Sequence, residues 1–303
     1  MTKKFLALLL AFLLIFSLWA CGETEQKTTG TIDTQIEPEE ETNPTQEEEP
    51  VIEFLEEMSI VSNEDITVKI TGLDPDNYMG YTLKLFLENK TDKNLYFTME
   101  DTSVNDVMCD PYWAIELSPG KKTNEEVVFS NTELKTVGIR DVNKIEFHMV
   151  SYDSEDWSAD YLFNQQVTVY PWGEAAVTEY TRTPVENEIA VFDTEDCTMI
   201  ITGVDPDDFW GYSVQVYMYN KTDKNLMFTA DEGAVNDYDL DPFWATRVAA
   251  GKHAIANITW FEEDLAENGI DQVEKIFLEF RVSDADDWLG NDLIIEEIEF
   301  APF

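Results

Sequence analysis

An internal duplication constrains the fold of this chain more than any other feature of its sequence. The heptamer NKTDKNL occurs at Asn89–Leu95 and again at Asn220–Leu226, 131 positions later. The match at this spacing runs without a gap from Glu57 to Trp157, and about 40% of the matched positions are identical. A unit of this length is the size of one domain. We therefore expect two copies of one domain.

Apolar and polar residues alternate through each copy, which predicts β-strands. Residues 66–70 and 83–87 carry apolar side chains at every second position, and residues 214–218 do the same in the second copy. The heptamer separates two such runs, so we expect a hairpin-like connection in which Leu95 and Leu226 point inward. With a short helical turn late in each copy, the pattern predicts an all-β fold of two sandwiches.

The N-terminus has the features of an export signal. Lys3 and Lys4 precede an apolar run of about 15 residues, too short to cross a bilayer as a helix. The run ends in LWACG, which resembles the lipobox of bacterial lipoproteins, although Trp19 stands where that family prefers a small residue. The resemblance implies a diacylated Cys21 as the first mature residue, and two acyl chains anchor stably. The alternative is an ordinary secretory peptide with an incidental cysteine.

The segment after Cys21 is acidic and holds almost no large apolar side chains, so it is expected to be a disordered tether. The predicted organisation is a signal peptide (1–20), the tether (21–50), repeat 1 (51–170), a linker (171–183) and repeat 2 (184–303).

Three short stretches of each copy resemble immunoglobulin-like domains of unknown function in surface lipoproteins of Gram-positive bacteria. In repeat 1 these are the residues VND at 104–106, PGK at 119–121 and GI at 138–139, and their partners begin at 235, 250 and 269. The resemblance implies tandem immunoglobulin-like β-sandwiches outside the cytoplasm. It implies no catalytic residues.

The charge balance limits the partners that the chain can bind. It has 19 basic and 63 acidic residues, a formal net charge of -44. Such a surface repels phosphate backbones, which excludes nucleic acid as a partner. Divalent cations, basic proteins and neutral glycans remain.

Candidate catalytic residues do not recur between the copies. His148 and His253 stand where the other copy has Glu279 and Lys122, so both are expected to be exposed. Cys109 and Cys197 occupy positions that are apolar in the other copy, which predicts small buried side chains. With no G-x-S-x-G stretch, the sequence predicts a protein that is not an enzyme.

Aspartates cluster at two places in each copy. If the sandwich is immunoglobulin-like, both loops lie at one end, and converging carboxylates suit Ca²⁺. The alternative is that they form Asx turns. The candidate calcium ligands are Asp74, Asp76, Asp153 and Asp156 in repeat 1, and Asp205, Asp207, Asp284 and Asp287 in repeat 2.

The recurring tryptophans are predicted to pack in the fold, with sugar stacking as the alternative. These are the pairs Trp113/Trp244 and Trp157/Trp288. Trp210 has Met79 as its partner, so it is predicted to be exposed and is the candidate binding residue.

These features predict a lipid-anchored protein on the outer face of the cell membrane with a non-catalytic binding or display role. Its candidate partners are an envelope protein or a glycan, with Ca²⁺ as the candidate cation and no other cofactor indicated. The alternatives are an envelope hydrolase and a spacer that binds nothing. The sequence does not indicate an oligomeric state.

Overall fold

The fold is built almost wholly from β-strands. The computed structural model describes Leu55 and residues 57–156, 158, 160–242, 244–287 and 289–303. Strands account for 55% of the described residues and helices for 6%, which confirms the predicted all-β fold class. The immunoglobulin-like assignment stays a prediction, and the predicted signal peptide, Cys21 and the tether lie outside the described residues.

Repeat 1 forms two antiparallel sheets. Its elements are β1 (Met58–Ser62), β2 (Ile66–Asp74), β3 (Gly80–Asn89), β4 (Leu95–Val104), β5 (Val107–Met108), β6 (Ala114–Leu117), β7 (Lys122–Ser130), α1 (Asn131–Thr136), β8 (Ile145–Asp153) and β9 (Phe163–Val169). The first sheet has the order β1-β2-β3-β7. The second has the order β5-β4-β8-β9, and β6 also pairs with β4.

Repeat 2 repeats this arrangement strand for strand. A 3₁₀ helix at Glu174–Ala176 precedes β10 (Ile189–Asp193), β11 (Cys197–Asp208), β12 (Gly211–Asn220), β13 (Leu226–Val235), β14 (Tyr238–Asp239), β15 (Trp244–Val248), β16 (His253–Phe261), α2 (Glu262–Glu267), β17 (Ile276–Asp284) and β18 (Ile294–Phe300). Its sheets have the orders β10-β11-β12-β16 and β14-β13-β17-β18, with β15 pairing with β13. The two predicted helical turns are therefore confirmed as α1 and α2.

Each repeat has its own apolar core between its two sheets. In repeat 1, Leu85 from the first sheet packs in one buried cluster with Phe97 and Phe147 from the second. A separate buried cluster fills repeat 2. Alternation along each strand sends every second side chain into these cores, which explains why the alternating pattern recurs in both copies.

The heptamer carries the chain from one sheet to the other. β3 pairs with β2 and β7, whereas β4 pairs with β5, β6 and β8. The predicted hairpin-like connection is therefore wrong, because the strands on either side of the heptamer belong to different sheets. The inward position predicted for Leu95 and Leu226 is confirmed, since their exposed fractions are 1% and 0%.

A buried asparagine side chain holds this arch together. Asn89 is 0% exposed, and its Nδ2 donates to the carbonyl oxygens of Lys93 at 2.7 Å and of Leu117, in the second sheet, at 2.8 Å. Its Oδ1 accepts from the backbone nitrogen of Thr91 at 2.9 Å. Asn220 makes the equivalent bonds in repeat 2. Both copies keep the heptamer because one side chain satisfies the polar groups where the chain changes sheets.

One backbone contact joins the two repeats. The backbone nitrogen of His253 donates to the carbonyl oxygen of Asp106 at 2.8 Å, and β16 pairs in parallel with β5 there. In the described part of the chain, the second sheet of repeat 1 and the first sheet of repeat 2 thereby continue as one nine-stranded sheet. We call this contact, with the side chains of Asp106, Glu146, Lys144 and Lys252, the junction.

The four charged side chains of the junction are two carboxylates and two ammonium groups, so their charges balance. Asp106 Oδ1 accepts from Lys144 Nζ and from Lys252 Nζ, each at 2.6 Å. Both lysines also pair with Glu146. Burial opposes ionisation of Asp106, yet the two lysines hold the pKa of its carboxyl below the usual value. Since all four side chains are at most 23% exposed, removing one would leave a partly buried charge without compensation.

His253 packs at the junction and is not exposed as predicted. Its ring lies 4.0 Å from the ring of Tyr219 and 4.8 Å from that of Tyr180, and its Nδ1 shares a hydrogen bond of 2.7 Å with the Tyr217 hydroxyl. Burial lowers the pKa of His253 to about 4, so the imidazole is neutral at physiological pH. Tyr180 also packs against the core of repeat 1. The predicted exposure of His253 was wrong because it was inferred from Lys122, the equivalent residue of the other copy. That comparison does not show that position 253 packs where the two repeats meet.

Within the described residues, no helix is long and apolar enough to cross a membrane.

We predict that Asn89→Ala lowers the free energy of unfolding of repeat 1 by about 3 kcal/mol, because two carbonyl groups and one backbone N–H lose their buried partner. Urea denaturation of the full chain, followed by tryptophan fluorescence, measures the change. Asp92→Ala, an exposed change in the same heptamer, is the matched control and should change the free energy by less than about 0.5 kcal/mol. Equal effects of the two variants would contradict the assigned role of Asn89.

Candidate functional site

The predicted calcium ligands lie at opposite ends of each repeat. Asp74 ends β2 and pairs with Thr82 near the start of β3, whereas Asp153 ends β8 and pairs with Leu95 at the start of β4. The heptamer joins the end of β3 to the start of β4, so the length of β3 separates the two clusters. That strand has ten residues, which is about 30 Å. The predicted convergence is therefore wrong.

The same separation holds in repeat 2. Asp205 pairs with Ser213 at the start of β12, and Asp284 pairs with Leu226 at the start of β13. Asp76 and Asp207 stay with the first cluster of their repeat, and Asp156 and Asp287 with the second. The alignment could place each cluster in its loop, but only strand pairing shows which loops share an end.

Most of these carboxylates already have partners. Asp153 Oδ2 accepts from Lys93 Nζ and Asp284 Oδ2 from Lys224 Nζ, both at 2.7 Å. These lysine hydrogen bonds lower the pKa of both carboxyl groups below the usual value.

Backbone groups occupy the other carboxylate oxygens, as the Asx-turn alternative predicted. Asp153 Oδ1 accepts from the backbone nitrogen of Glu155 and Asp284 Oδ1 from that of Asp286, each at 3.0 Å. Asp205 Oδ1 accepts from the backbone nitrogen of Asp207 at 3.0 Å. In the described residues, no group of three or more His, Cys, Asp or Glu side chains is arranged to hold a metal ion. Calcium binding as such stays a prediction of the sequence.

The geometry leads us to expect that CaCl₂ raises the melting temperature of the full chain no more than NaCl of equal ionic strength. Each cluster offers two to four carboxylates, and lysine and backbone N–H groups already bind oxygens of several of them, whereas Ca²⁺ takes six to eight oxygen ligands. A thermal melt in both salts and in chelator tests this. A calcium-specific rise that Asp205→Asn with Asp207→Asn removes would contradict the expectation and establish a site in that loop.

The strongest candidate for a binding surface is a group of exposed aromatic rings at one end of repeat 2. The exposed fractions are 87% for Phe209, 63% for Trp210 and 52% for Phe261. Trp210 contacts Phe209 at 4.9 Å and Phe261 at 6.5 Å between ring centroids, both edge to face. We call these three side chains the aromatic tip. The predicted exposure of Trp210 agrees with its position.

The backbone of the β11–β12 hairpin positions the aromatic tip. Asp208 Oδ1 accepts from the backbone nitrogen of Trp210 at 3.0 Å, and the Trp210 carbonyl accepts from the backbone nitrogen of Glu262 at 3.0 Å. Gly211 has a φ of 147°, and a Cβ there would lie 2.2 Å from the carbonyl oxygen of Trp260. Only glycine permits this approach, which brings Trp210 beside Phe261.

A groove of about 750 Å³ adjoins the aromatic tip. Asp207, Asp208, Tyr212, Glu262 and Phe303 contribute to its walls. The Tyr212 hydroxyl is buried and has no hydrogen-bond partner among the described residues. Burial raises the pKa of Tyr212 to about 12, so the hydroxyl keeps its proton.

Comparison of the copies shows what sequence reasoning missed. Tyr78 and Met79 occupy the hairpin of repeat 1 with exposed fractions of 90% and 55%, but Ser130 stands there in place of Phe261. Phe209 and Phe261 were not predicted as site residues. The signal that could have found Phe261 is the replacement of a serine by an aromatic residue between otherwise similar copies.

The remaining candidates pack within the fold. Trp113 and Trp244 lie against the cores of their repeats, as the packing interpretation predicted, and Trp244 contacts Phe280 edge to face. Trp157 and Trp288 lie outside the described residues. Cys109 and Cys197 are buried free thiols, as predicted.

Comparison with known proteins gives no assignment. No family model matches the chain, and no curated protein matches it. Among solved structures, the crystal structure of the YadV chaperone is similar to 73% of this chain and 91% of its own chain, with 9% sequence identity and a TM-score of 0.21. A TM-score this low carries no argument about fold or function.

Proposed function

We propose that this protein is a lipid-anchored, non-catalytic binding protein of the cell envelope, and that the aromatic tip of repeat 2 contacts an envelope protein. The observation that carries the proposal is the exposure of Phe209, Trp210 and Phe261 as one contiguous group. Contiguous exposed apolar residues mark interaction sites on soluble domains, and aromatic residues contribute most to interface energies.

The ring geometry favours a protein over a glycan as the partner. Sugar rings stack on flat, accessible aromatic faces, which a line of exposed rings would provide. Here the edge-to-face contacts, with interplanar angles of 85° and 89°, gather the rings into a compact patch. Such a patch suits an apolar pocket on a protein.

The surroundings of the tip favour a basic rim on that partner. Asp205, Asp207 and Asp208 lie on the hairpin that carries Trp210, and Glu262 follows Phe261. Charge complementarity at an interface rim increases the association rate and selects partners. The aromatic tip also lies at the end of β16 opposite the junction. Repeat 1 therefore pairs with the other end of that strand.

The proposed location rests on the N-terminal sequence. The apolar run, the LWACG stretch with Cys21 and the acidic tether together support export and lipid anchoring at the outer face of the membrane. A non-catalytic role is supported by the sequence, because neither His148 nor His253 recurs at the equivalent position of the other copy.

We predict that a photo-crosslinking amino acid at Phe209, in cells that produce the full chain, yields a discrete protein adduct. The same label at Val185, which is 46% exposed and does not belong to the aromatic tip, is the control and should yield none. Trp210→Ala should reduce capture about tenfold or more, since a central aromatic anchor contributes at least about 1.4 kcal/mol. Cys21→Ser should abolish it by releasing the chain from the membrane.

Four results would contradict the proposal. Equal adducts from positions 209 and 185, or an adduct that Trp210→Ala leaves unchanged, would show that the tip is not the contact. No adduct from either position would favour the spacer alternative. If the Cys21→Ser chain remains in the membrane fraction, the lipid anchor is wrong.

A further inference from the structure

A second concave region lies where the two repeats meet, away from the aromatic tip. It is a cleft of about 860 Å³, within the range of small-molecule sites. Met99, Thr102 and Tyr161 of repeat 1 and Arg247 and Ile255 of repeat 2 contribute to its walls. The cleft therefore exists only while the junction holds the repeats together.

The charges around the cleft leave an excess of carboxylates. Among the described residues, Arg247 is the only arginine that lines the cleft. Its guanidinium donates to Asp101 Oδ1 at 2.8 Å and to Asp286 Oδ1 at 3.0 Å. The remaining acidic residues of the walls are Glu100, Asp110 and Glu133. No lysine or arginine is paired with these three among the described ion pairs, so the cleft attracts positive charge.

Thr102 provides an observation that does not depend on charge. It lines the cleft with a residue exposure of only 5%, and its side-chain hydroxyl has no hydrogen-bond partner in the described part of the chain. Its carbonyl accepts from the backbone nitrogen of Cys109 at 3.0 Å, which fixes this part of β4. A buried hydroxyl without a partner costs about 1–3 kcal/mol, and a bound polar group would remove that cost.

The apolar walls indicate which kind of cation fits. Met99, Met108 and Ile255 line the cleft beside Tyr112 and Tyr161. The Tyr161 hydroxyl donates to Glu100 Oε1 at 2.8 Å, which holds this ring at a carboxylate. Aromatic ring faces attract organic cations, and apolar side chains pack against the methylene groups of such ligands. We propose that the cleft binds an organic cation with an ammonium or guanidinium group, which pairs with Glu100 and Glu133 and bonds to the Thr102 hydroxyl.

The internal duplication does not create a second set of these side chains in the chain. The residues equivalent to Thr102, Glu133 and Arg247 are Gly233, Asp264 and Glu116. We therefore expect one site per chain. Asp264 offers a matched control, since it stands at the Glu133 position of repeat 2 and outside the cleft.

Isothermal titration calorimetry of the full chain in detergent with agmatine and 1,5-diaminopentane tests the proposal. We expect saturable binding at one site, weakened about tenfold by Glu133→Gln and about fivefold by Thr102→Val, the costs of one charged and one neutral hydrogen bond. Asp264→Asn should leave the dissociation constant unchanged. The blocked tripeptide acetyl-Gly-Lys-Gly-amide, whose sole cation is the lysine ammonium, distinguishes a lysine side chain from a free amine as the source of the cation.

Several outcomes would overturn the proposal. They are the absence of saturable binding of both amines, equal binding of the neutral analogue 1,5-pentanediol, and weakening by Asp264→Asn as large as that by Glu133→Gln. Ca²⁺ binding at this cleft in place of the amines would do the same. Circular dichroism of each variant confirms that it is folded, and Glu100→Gln, with about tenfold weakening expected, replaces a variant that is not.

Discussion

The arrangement of the two repeats depends on how the edges of two sheets meet at the junction. β5 and β16 each have one edge that pairs with no strand of their own repeat. An unpaired edge invites association with other chains. The bond from His253 to Asp106 pairs the first residue of β16 with β5, and Lys144 and Lys252 neutralise the two carboxylates around it. Met108 of β5 and Ile255 of β16 contribute to the walls of the cleft, and the aromatic tip lies at the far end of β16.

The outer ends of the two repeats do not carry the complementary charges that pair where the repeats meet. Arg247 pairs with Asp101 across the repeats, but the equivalent residues at the free ends are Glu116 and Glu232, which would repel each other. Glu146, which pairs with both junction lysines, is replaced by Phe277 at the free end of repeat 2. The duplicated domains therefore share a fold while only one pair of ends is complementary.

Local patterns were enough to predict the strands, and distant contacts were not. Alternation placed Leu95 and Leu226 inside correctly, because a strand has only two faces. It could not show that the heptamer crosses between sheets, since that depends on the bond from Asn89 to Leu117 in another strand. The separation of Asp74 from Asp153 and the burial of His253 were missed for the same reason. The exposure of Trp210 was predicted correctly because the other copy has Met79 at that position. A residue that differs between the copies is one that the shared fold does not require.

The central claim is that the junction holds the two repeats in one fixed orientation. Pulsed electron–electron double resonance between spin labels at positions 92 and 264, exposed residues of repeat 1 and repeat 2, measures this directly. We expect one narrow distance distribution for the full chain, which broadens when Lys252→Ala leaves Asp106 and Glu146 with a single lysine. A broad distribution in the unaltered protein, or no change in Lys252→Ala, would contradict it.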